Sequence, residues 1–281
     1  SFPDLLSGVT VGLVFFEDST RTRTSFETAA VRLGARVQGF SAGTSSIKKG
    51  ETTYDTLITL KQAGADGFVV RHPSSGGPAY LAQKLGYPVL NAGDGFHEHP
   101  TQGLLDALTL EEALGTLKGK RILIVGDIAH SRVARSNAHC LSKLGAEVIL
   151  CGPPTLLTPP GALPGRVTSQ VDQEIPQADA VMMLRIQFER QSFFPVPSAS
   201  EFTRFWGLTQ DRAKKLKNDA RVLHPGPMNR GLEIDSAVAD SPRSLIARQV
   251  ALGVPARMAA MAAVLAPDKL EAWCKKEGVK A

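Results

Sequence analysis

Cysteine is scarce in this chain. Cys140, Cys151 and Cys274 are the only three in 281 residues, too few and too scattered for a disulfide framework or a metal knuckle. Lone thiols fit a reducing, cytoplasmic setting. Aromatic residues make up only 6% of the chain, and none interleave with a basic stripe, which excludes a single-strand nucleic-acid binder of the stacking type. There is no run of Lys or Arg, and the net charge is mild, 32 − 27 = +5, a balance suited to small anionic substrates rather than to nucleic acid. No apolar stretch approaches membrane-spanning length, and no signal peptide is visible. A Gly-x-Gly-x-x-Gly turn is also missing. Where a βαβ unit offers the place for one, the chain reads Gly126-Asp-Ile-Ala-His-Ser, so a dinucleotide cofactor is rejected. The nearest approach to a metal cluster is His97 and His99 around Glu98. That alternation is not helical spacing and no cysteine or second carboxylate cluster supports it, so neither metal nor cofactor is expected.

What the chain does have is apolar content, 43% of its residues, enough for a sizeable core, and a steady alternation of strand-length apolar runs with helical periodicity. Its focus is the stretch from Phe15 to Glu27, FFEDSTRTRTSFE. An apolar strand from Val9 to Phe16 precedes it. A helix follows from Ser25 to Leu33, with Phe26, Ala29, Ala30 and Leu33 at helical spacing. Free backbone N–H groups and the helix dipole at such a junction favour an anion. Ser19, Thr20 and Thr22 crowd the same turn as Arg21 and Arg23. Arginine offers paired donors to phosphate oxygens and hydroxyls fill the rest, so the turn reads as a phosphate cradle.

Other strands also end in polar groups, where open α/β sheets place ligand contacts. Gly67–Val70 ends in Arg71-His72-Pro73, and the strand from Pro88 leads to His99-Pro-Thr-Gln102 at the mouth of a helix from Gly103 to Glu112. The strand from Arg121 precedes Arg132, placed near a helix N-terminus and suited to a carboxylate. The strand ending at Leu184 runs into Arg185-Ile-Gln187, and Ala220–Leu223 into His224-Pro225-Gly226-Pro227. Those two prolines around a glycine make a rigid loop that offers backbone carbonyls. Residues 41–51 are small, polar and basic: a surface loop, or a lid that carries Lys48 or Lys49 to an anion. Helices are expected over 202–217 and 248–265, the latter interrupted at 253–255. The fold expected is α/β, two doubly wound three-layer domains with parallel sheets joined by the helix at 103–112, with polar strand ends of both facing one cleft.

In order along nearly the whole chain, FEDSTRTRTSF from Phe16, Lys49-Gly-Glu, Arg71-His-Pro, His99-Pro-Thr-Gln102, Arg185-Ile-Gln187 and His224-Pro-Gly-Pro227 resemble the catalytic chain of the aspartate carbamoyltransferase family. The His-Cys-Leu-Pro motif and acidic Ser-Met-Gly loop of the ornithine branch are not found. The resemblance implies a carbamoyl phosphate domain at 1–102 with 256–281 and an aspartate domain at 103–255. It implies that Ser19, Thr20, Arg21 and Thr22 hold the phosphate, that Arg71, His99 and Gln102 hold the carbamoyl end, and that the Pro225 and Gly226 carbonyls orient the amines. Arg132, Arg185 and Gln187 would hold L-aspartate. Lys49 and a serine of the same loop, Ser45 or Ser46, would reach a neighbouring subunit's site, so a homotrimer with shared sites is implied; regulatory chains or a dihydroorotase are possible further partners.

The implied reaction needs no protein nucleophile, because carbamoyl phosphate is already activated. Thr22, Arg71 and His99 would stabilise the oxyanion, and the product would be N-carbamoyl-L-aspartate, early in pyrimidine synthesis. The alternatives are an ornithine-type carbamoyltransferase, which would want an acidic pocket, and a non-catalytic homologue, which would have lost site residues. Family chains carry a largely helical N-terminal segment that packs beside the C-terminal helix, and the sequence begins just short of the first strand. Asp18 stands where a neutral residue is more usual, unfavourable near phosphate unless it points away. Pro255 is unusual too and fits best as the start of the last long helix.

Overall fold

The computed structural model describes residues 4–41, 51–186 and 198–279. The chain divides into two compact units, Ser1–Thr101 with Gly253–Ala281, and Gln102–Leu252. It passes from the first to the second within helix α4 (Pro100–Leu114) and returns within α10 (Ile246–Leu265).

The first unit holds β1 (Thr10–Phe15), α1 (Thr20–Arg32), β2 (Arg36–Ser41), α2 (Thr53–Gln62), β3 (Gly67–His72), α3 (Gly77–Leu85) and β4 (Val89–Asp94), with α11 (Pro267–Glu277) following α10. All its pairings are parallel, in the order β2-β1-β3-β4. Alternating residues of each strand feed opposite faces. Leu13, Phe15 and Val69 pack with Phe26, Ala29 and Leu33 of the α1 segment and with Met258 and Met261 of α10. Val14, Phe68 and Val70 pack with Leu57 and Leu81 of α2 and α3. Each such fully buried side chain stabilises the unit by about 1.5–3 kcal/mol. Gly12 lets the sheet close, because a Cβ there would lie 2.6 Å from the Phe68 ring. Buried Arg257 ties α10 to α1 through the Ser25 hydroxyl at 2.9 Å.

The second unit holds β5 (Arg121–Val125), α5 (Arg132–Lys143), β6 (Glu147–Cys151), β7 (Arg166–Thr168), α6 (Val171–Glu174), β8 (Ala180–Met183), α7 (Ala199–Phe205), α8 (Gln210–Ala213), β9 (Arg221–Leu223) and α9 (Ser236–Ala239). Its sheet is again parallel, ordered β7-β6-β5-β8-β9. Ile122, Ile124, Leu150 and Met182 face Ala134, Ala138 and Leu141 of α5 and Leu110 of α4. Leu123, Ile149, Val181 and Val222 face Val171, Ile175, Leu216 and Val238. The architecture is thus two parallel α/β units, as the strand–helix alternation predicts.

Several boundaries differ from the sequence reading. Helix α1 begins at Thr20 rather than Ser25. Thr22 is buried in line with Phe26, Ala29, Ala30 and Leu33, so packing of that stripe carries the helix back through hydroxyl residues of weak propensity. The helix expected over 202–217 is broken into α7 and α8. A Cβ at Gly207 would lie 2.8 Å from the Leu232 and Thr203 carbonyl oxygens, and the buried Arg212 guanidinium caps the Thr203, Arg204 and Gly207 carbonyls. Conversely, α10 runs through Pro255 without the expected interruption. Pro255 is interior to the helix rather than its first residue, and Arg257 Nη1 takes the Gly253 carbonyl at 3.1 Å. Strand β7 and helices α6 and α9, too short for a periodic signal, were not expected.

Candidate active site

In an open parallel sheet the ligand crevice opens at the carboxyl ends of the strands, where successive connections leave to opposite sides. In the first unit that point lies between β1 and β3, since β1 connects to β2 on one side and the chain then returns to β3 on the other. The turn after β1 leads straight into α1, and Arg71 stands near the end of β3, its carbonyl accepting from Phe16 N at 2.9 Å. In the second unit the corresponding point lies between β5 and β8. Arg132 follows β5 as the first residue of α5, and Arg185 follows β8.

The phosphate cradle has the local features an anion needs. Ser19 is the N-cap of α1, in extended backbone, and its hydroxyl is not spent on a cap bond. No acidic residue occupies the first turn. Thr20 and Arg21 are exposed and Thr22 is buried. Asp18 is exposed. Arg23, two residues beyond Arg21, turns to another face of the helix. Its Nη2 lies 2.8 Å from where a Cβ of Gly39 would stand, so this arginine packs along β2 and is removed from the cradle.

Arg71 is 7% exposed. Its Nε pairs with Glu17 Oε2 at 3.2 Å, and Nη1 donates to the Ala92 carbonyl at 3.1 Å. Those contacts fix the plane of the guanidinium. His99 is buried beside Pro100, which starts α4. The turn that delivers it is built on Asp94, 1% exposed. The Asp94 carboxylate accepts from Gly76 N at 2.6 Å, Asn91 Nδ2 at 2.8 Å and Glu98 N at 2.9 Å, and meets His97 Nδ1 at 3.2 Å. His97 and Glu98 are therefore occupied with this turn.

Gln102 opens the second unit and gives its Nε2 to Asp106 Oδ1 at 2.9 Å. Arg132 is buried, next to the cap residue Ser131, whose hydroxyl accepts from Ala134 N at 3.1 Å. Beyond β9, His224 Nδ1 accepts from Gly226 N at 2.8 Å. That bond assigns the proton to Nε2, which donates to Glu233 Oε1 at 3.1 Å inside the core. Gly226 has φ +64°, a conformation that favours glycine. Pro225 and Pro227 have no N–H, and the Gly226 N–H is consumed by His224. This loop has only carbonyl acceptors left to offer, which suits a ligand –NH2.

At the strand ends of the first unit are Ser19, Thr20, Arg21, Thr22, Arg71 and His99, and at those of the second Arg132, Arg185, Pro225 and Gly226, while Gln102 lies in the first turn of α4. Lys49, with Lys48, Ser45 and Ser46, and Gln187 lie outside the described residues. Sequence reasoning missed Glu17, Asp94, Asp106, Gln249 and Glu233, acidic and amide groups that hold the site residues in place. Only Glu17 lay within a recognised motif. Among the described residues no group of three His, Cys, Asp or Glu side chains could hold a metal, and no helix is long and apolar enough to cross a membrane.

Two family models match the chain. The aspartate/ornithine carbamoyltransferase carbamoyl-P binding domain covers residues 1–112, and the aspartate/ornithine carbamoyltransferase Asp/Orn binding domain covers residues 118–264. The aspartate carbamoyltransferase catalytic subunit of Syntrophotalea carbinolica is 54% identical over 268 residues, 95% of this chain and 85% of that protein. Aspartate transcarbamoylase from Trypanosoma cruzi, solved in complex with carbamoyl phosphate, aligns with TM-score 0.83 at 33% identity, covering 94% of this chain and 86% of that one. Ornithine carbamoyltransferase from Pyrococcus furiosus aligns with TM-score 0.84 at 28% identity, with 94% and 86% covered.

Proposed function

We infer the working of these strand ends from one premise: the chain belongs to the aspartate carbamoyltransferase family, as a catalytic subunit. It is an aspartate carbamoyltransferase and catalyses a step of pyrimidine synthesis. Carbamoyl phosphate and L-aspartate are its substrates, and N-carbamoyl-L-aspartate and phosphate its products.

The phosphate of carbamoyl phosphate sits on the N-terminus of α1, taking the Ser19, Thr20 and Thr22 hydroxyls, first-turn N–H groups and Arg21. The observation that carries this is the helix start itself: a cap hydroxyl not spent on a cap bond and no first-turn acid, directly after a central parallel strand. Arg71, His99 and Thr22 donate to the carbamoyl oxygen. Gln102 and the Pro225 and Gly226 carbonyls take the carbamoyl amine. Arg132, Arg185 and Gln187 hold the two carboxylates of aspartate, and Lys49 adds a further cation. The deprotonated α-amine attacks the carbamoyl carbon, and charge develops on the carbonyl oxygen where Arg71, His99 and Thr22 stabilise it. The C–O bond to phosphate then breaks as the attacking nitrogen gives up its extra proton to the departing phosphate, which leaves into the cradle it already occupies. Much of the rate enhancement comes from holding two anionic reactants in register. Two arginines at adjacent strand ends favour a dicarboxylate over a cationic amine such as ornithine.

In this reading the working form is a homotrimer in the cytoplasm, in which Lys49 and either Ser45 or Ser46 serve a neighbouring subunit's site. The test is product formation by the purified chain from carbamoyl phosphate with L-aspartate or L-ornithine, alongside its mass in solution. Carbamoyl-aspartate alone, from a trimer, is the expected result. Citrulline would overturn the roles of Arg132 and Arg185, and full activity from a monomer would overturn the shared site.

A further inference from the structure

A buried polar chain runs through the second unit from the loop after β9 to the start of α4. It begins at a group whose direction cannot be reversed, the backbone N–H of His224, which donates to Gln249 Oε1 at 2.9 Å. Because that oxygen faces the backbone, Gln249 must turn its Nε2 the other way, and it donates to Asp106 Oδ1 at 2.7 Å. Asp106 is 0% exposed and Gln249 2%. The second oxygen of Asp106 accepts from Asn137 Nδ2 at 2.7 Å, so amide donors converge on this carboxylate. Gln102 Nε2 is one of them, at 2.9 Å on the oxygen that Gln249 also uses. Both Asp106 oxygens are taken by amide N–H donors, so the carboxyl group faces Gln102 as an acceptor. Facing it, Gln102 can present only its NH2 group, and its Oε1 is left as the end able to receive a donor.

We propose that Asp106 is a positioning residue for the carbamoyl group: it locks the Gln102 amide with the oxygen toward the ligand and couples that orientation, through Gln249, to the backbone of the His224–Gly226 loop. This rests on the reading of Gln102 as a carbamoyl contact. The physical content is that both groups assigned to the carbamoyl –NH2, the Gln102 side chain and the loop carbonyls, are acceptors, and one hydrogen-bonded chain sets the orientation of the first and anchors the backbone at the start of the loop that carries the second. Without the carboxylate, the Gln102 amide can flip and set an N–H against the ligand's own N–H.

The test compares two ligands that differ at that group alone, carbamoyl phosphate and acetyl phosphate, whose methyl replaces –NH2. Equilibrium binding of each is measured by calorimetry on the full-length assembled protein, in wild type, Gln102→Leu, Asp106→Ala and the double variant, with thermal melts as the fold check. We expect Asp106→Ala and Gln102→Leu each to weaken carbamoyl phosphate about five- to tenfold. Acetyl phosphate should stay within about twofold, and the double variant should be no weaker than the worse single one. A merely structural role for Asp106 would weaken both ligands alike and would overturn the proposal. If Asp106→Ala does not fold, Asp106→Ser enters the same cycle, since its shorter hydroxyl no longer reaches Gln102. An unaffected Gln102→Leu overturns the assignment of Gln102 itself. A weakened Gln102→Leu beside an unaffected or additive Asp106 variant overturns the role of Asp106 alone.

Discussion

Replacing Arg71 with alanine separates the chemistry of the site from the stability of its unit. Two losses are worked from the contacts. In the role proposed for Arg71, the catalytic loss is one preorganised cationic donor to the developing oxyanion, costing about 2.7–4 kcal/mol of barrier, or roughly 100- to 1000-fold in kcat. The structural loss is smaller. The Ala92 carbonyl loses its partner at 3.1 Å, about 1 kcal/mol. Glu17 loses its ion pair, but its side chain is 18% exposed and water can take over part of that role, so about 1 kcal/mol more is expected. A total near 2 kcal/mol is tolerable against a typical domain stability of about 5–15 kcal/mol. The assay is steady-state carbamoyl-aspartate formation at saturating substrates, with a denaturant melt of the same preparation. Arg71→Lys keeps the charge but not the flat fork that reaches Glu17 and Ala92 together, and should fall between wild type and alanine. A folded Arg71→Ala protein that loses less than about threefold in kcat would refute the reasoning, because no oxyanion donor is that dispensable.

Asp94→Ala should unfold the turn before His99. Its buried carboxylate serves Gly76 N, Asn91 and Glu98 N, so a loss of about 3 kcal/mol or more is expected in urea unfolding, with activity falling in parallel. Gly152→Ala would push a methyl into the Gly126 carbonyl oxygen; overpacking against backbone should cost about 3 kcal/mol, read as a lowered melting temperature. Burial pushes the Cys151 thiol up to about 12, so native protein should label with a maleimide at Cys151 only after unfolding, as mass spectrometry of labelled peptides would show. Asp172 is held below the usual carboxylate range by its hydrogen bonds to Arg212. A lowered folded value means stability that is present above the unfolded value, about 3.9, and is lost as pH falls through the folded one. Unfolding midpoints should therefore hold between pH 7 and 5 and drop below about pH 4, and Asp172→Asn should lessen the drop.

The parallel α/β architecture was legible because apolar strand runs and helical spacing alternate along the chain, and because polar motifs sit at or just after the ends of β1, β3, β4, β8 and β9. Local chemistry explains what was not. The start of α1 was placed late because Thr20–Thr24 looks like a loop by propensity, whereas buried Thr22 belongs to the helix's inner stripe. The break at Gly207 depends on the Leu232 carbonyl as well as the local Thr203 carbonyl, and a short window of sequence around Gly207 does not contain Leu232. Arg23 was read with Arg21 because alternation along the chain suggested a shared purpose. On a helix, residues two apart face different ways, and the glycine at 39 that receives Arg23 is on another strand.

The same limit governs the site. The residues proposed to meet the ligand sit in short stretches, most of them at strand ends, so Ser19–Thr22, Arg71, His99–Gln102 and His224–Gly226 can be picked out from the order of letters alone. Residues that aim them do not cluster in this way. Glu17 is 54 residues from Arg71, and Gln249 is 143 from Asp106. Their roles follow from direction rather than from residue type. An aspartate in mid-helix at 106 reads as a solvated polar position until its surroundings show three side-chain amides turned toward it. A buried carboxylate that has lost its donors is costly, so those amides are as constrained by Asp106 as it is by them. In the role proposed for Asp106, that mutual constraint makes Gln102 hold one orientation, and it ties the proposed contact residue named by its motif to partners that no motif contains.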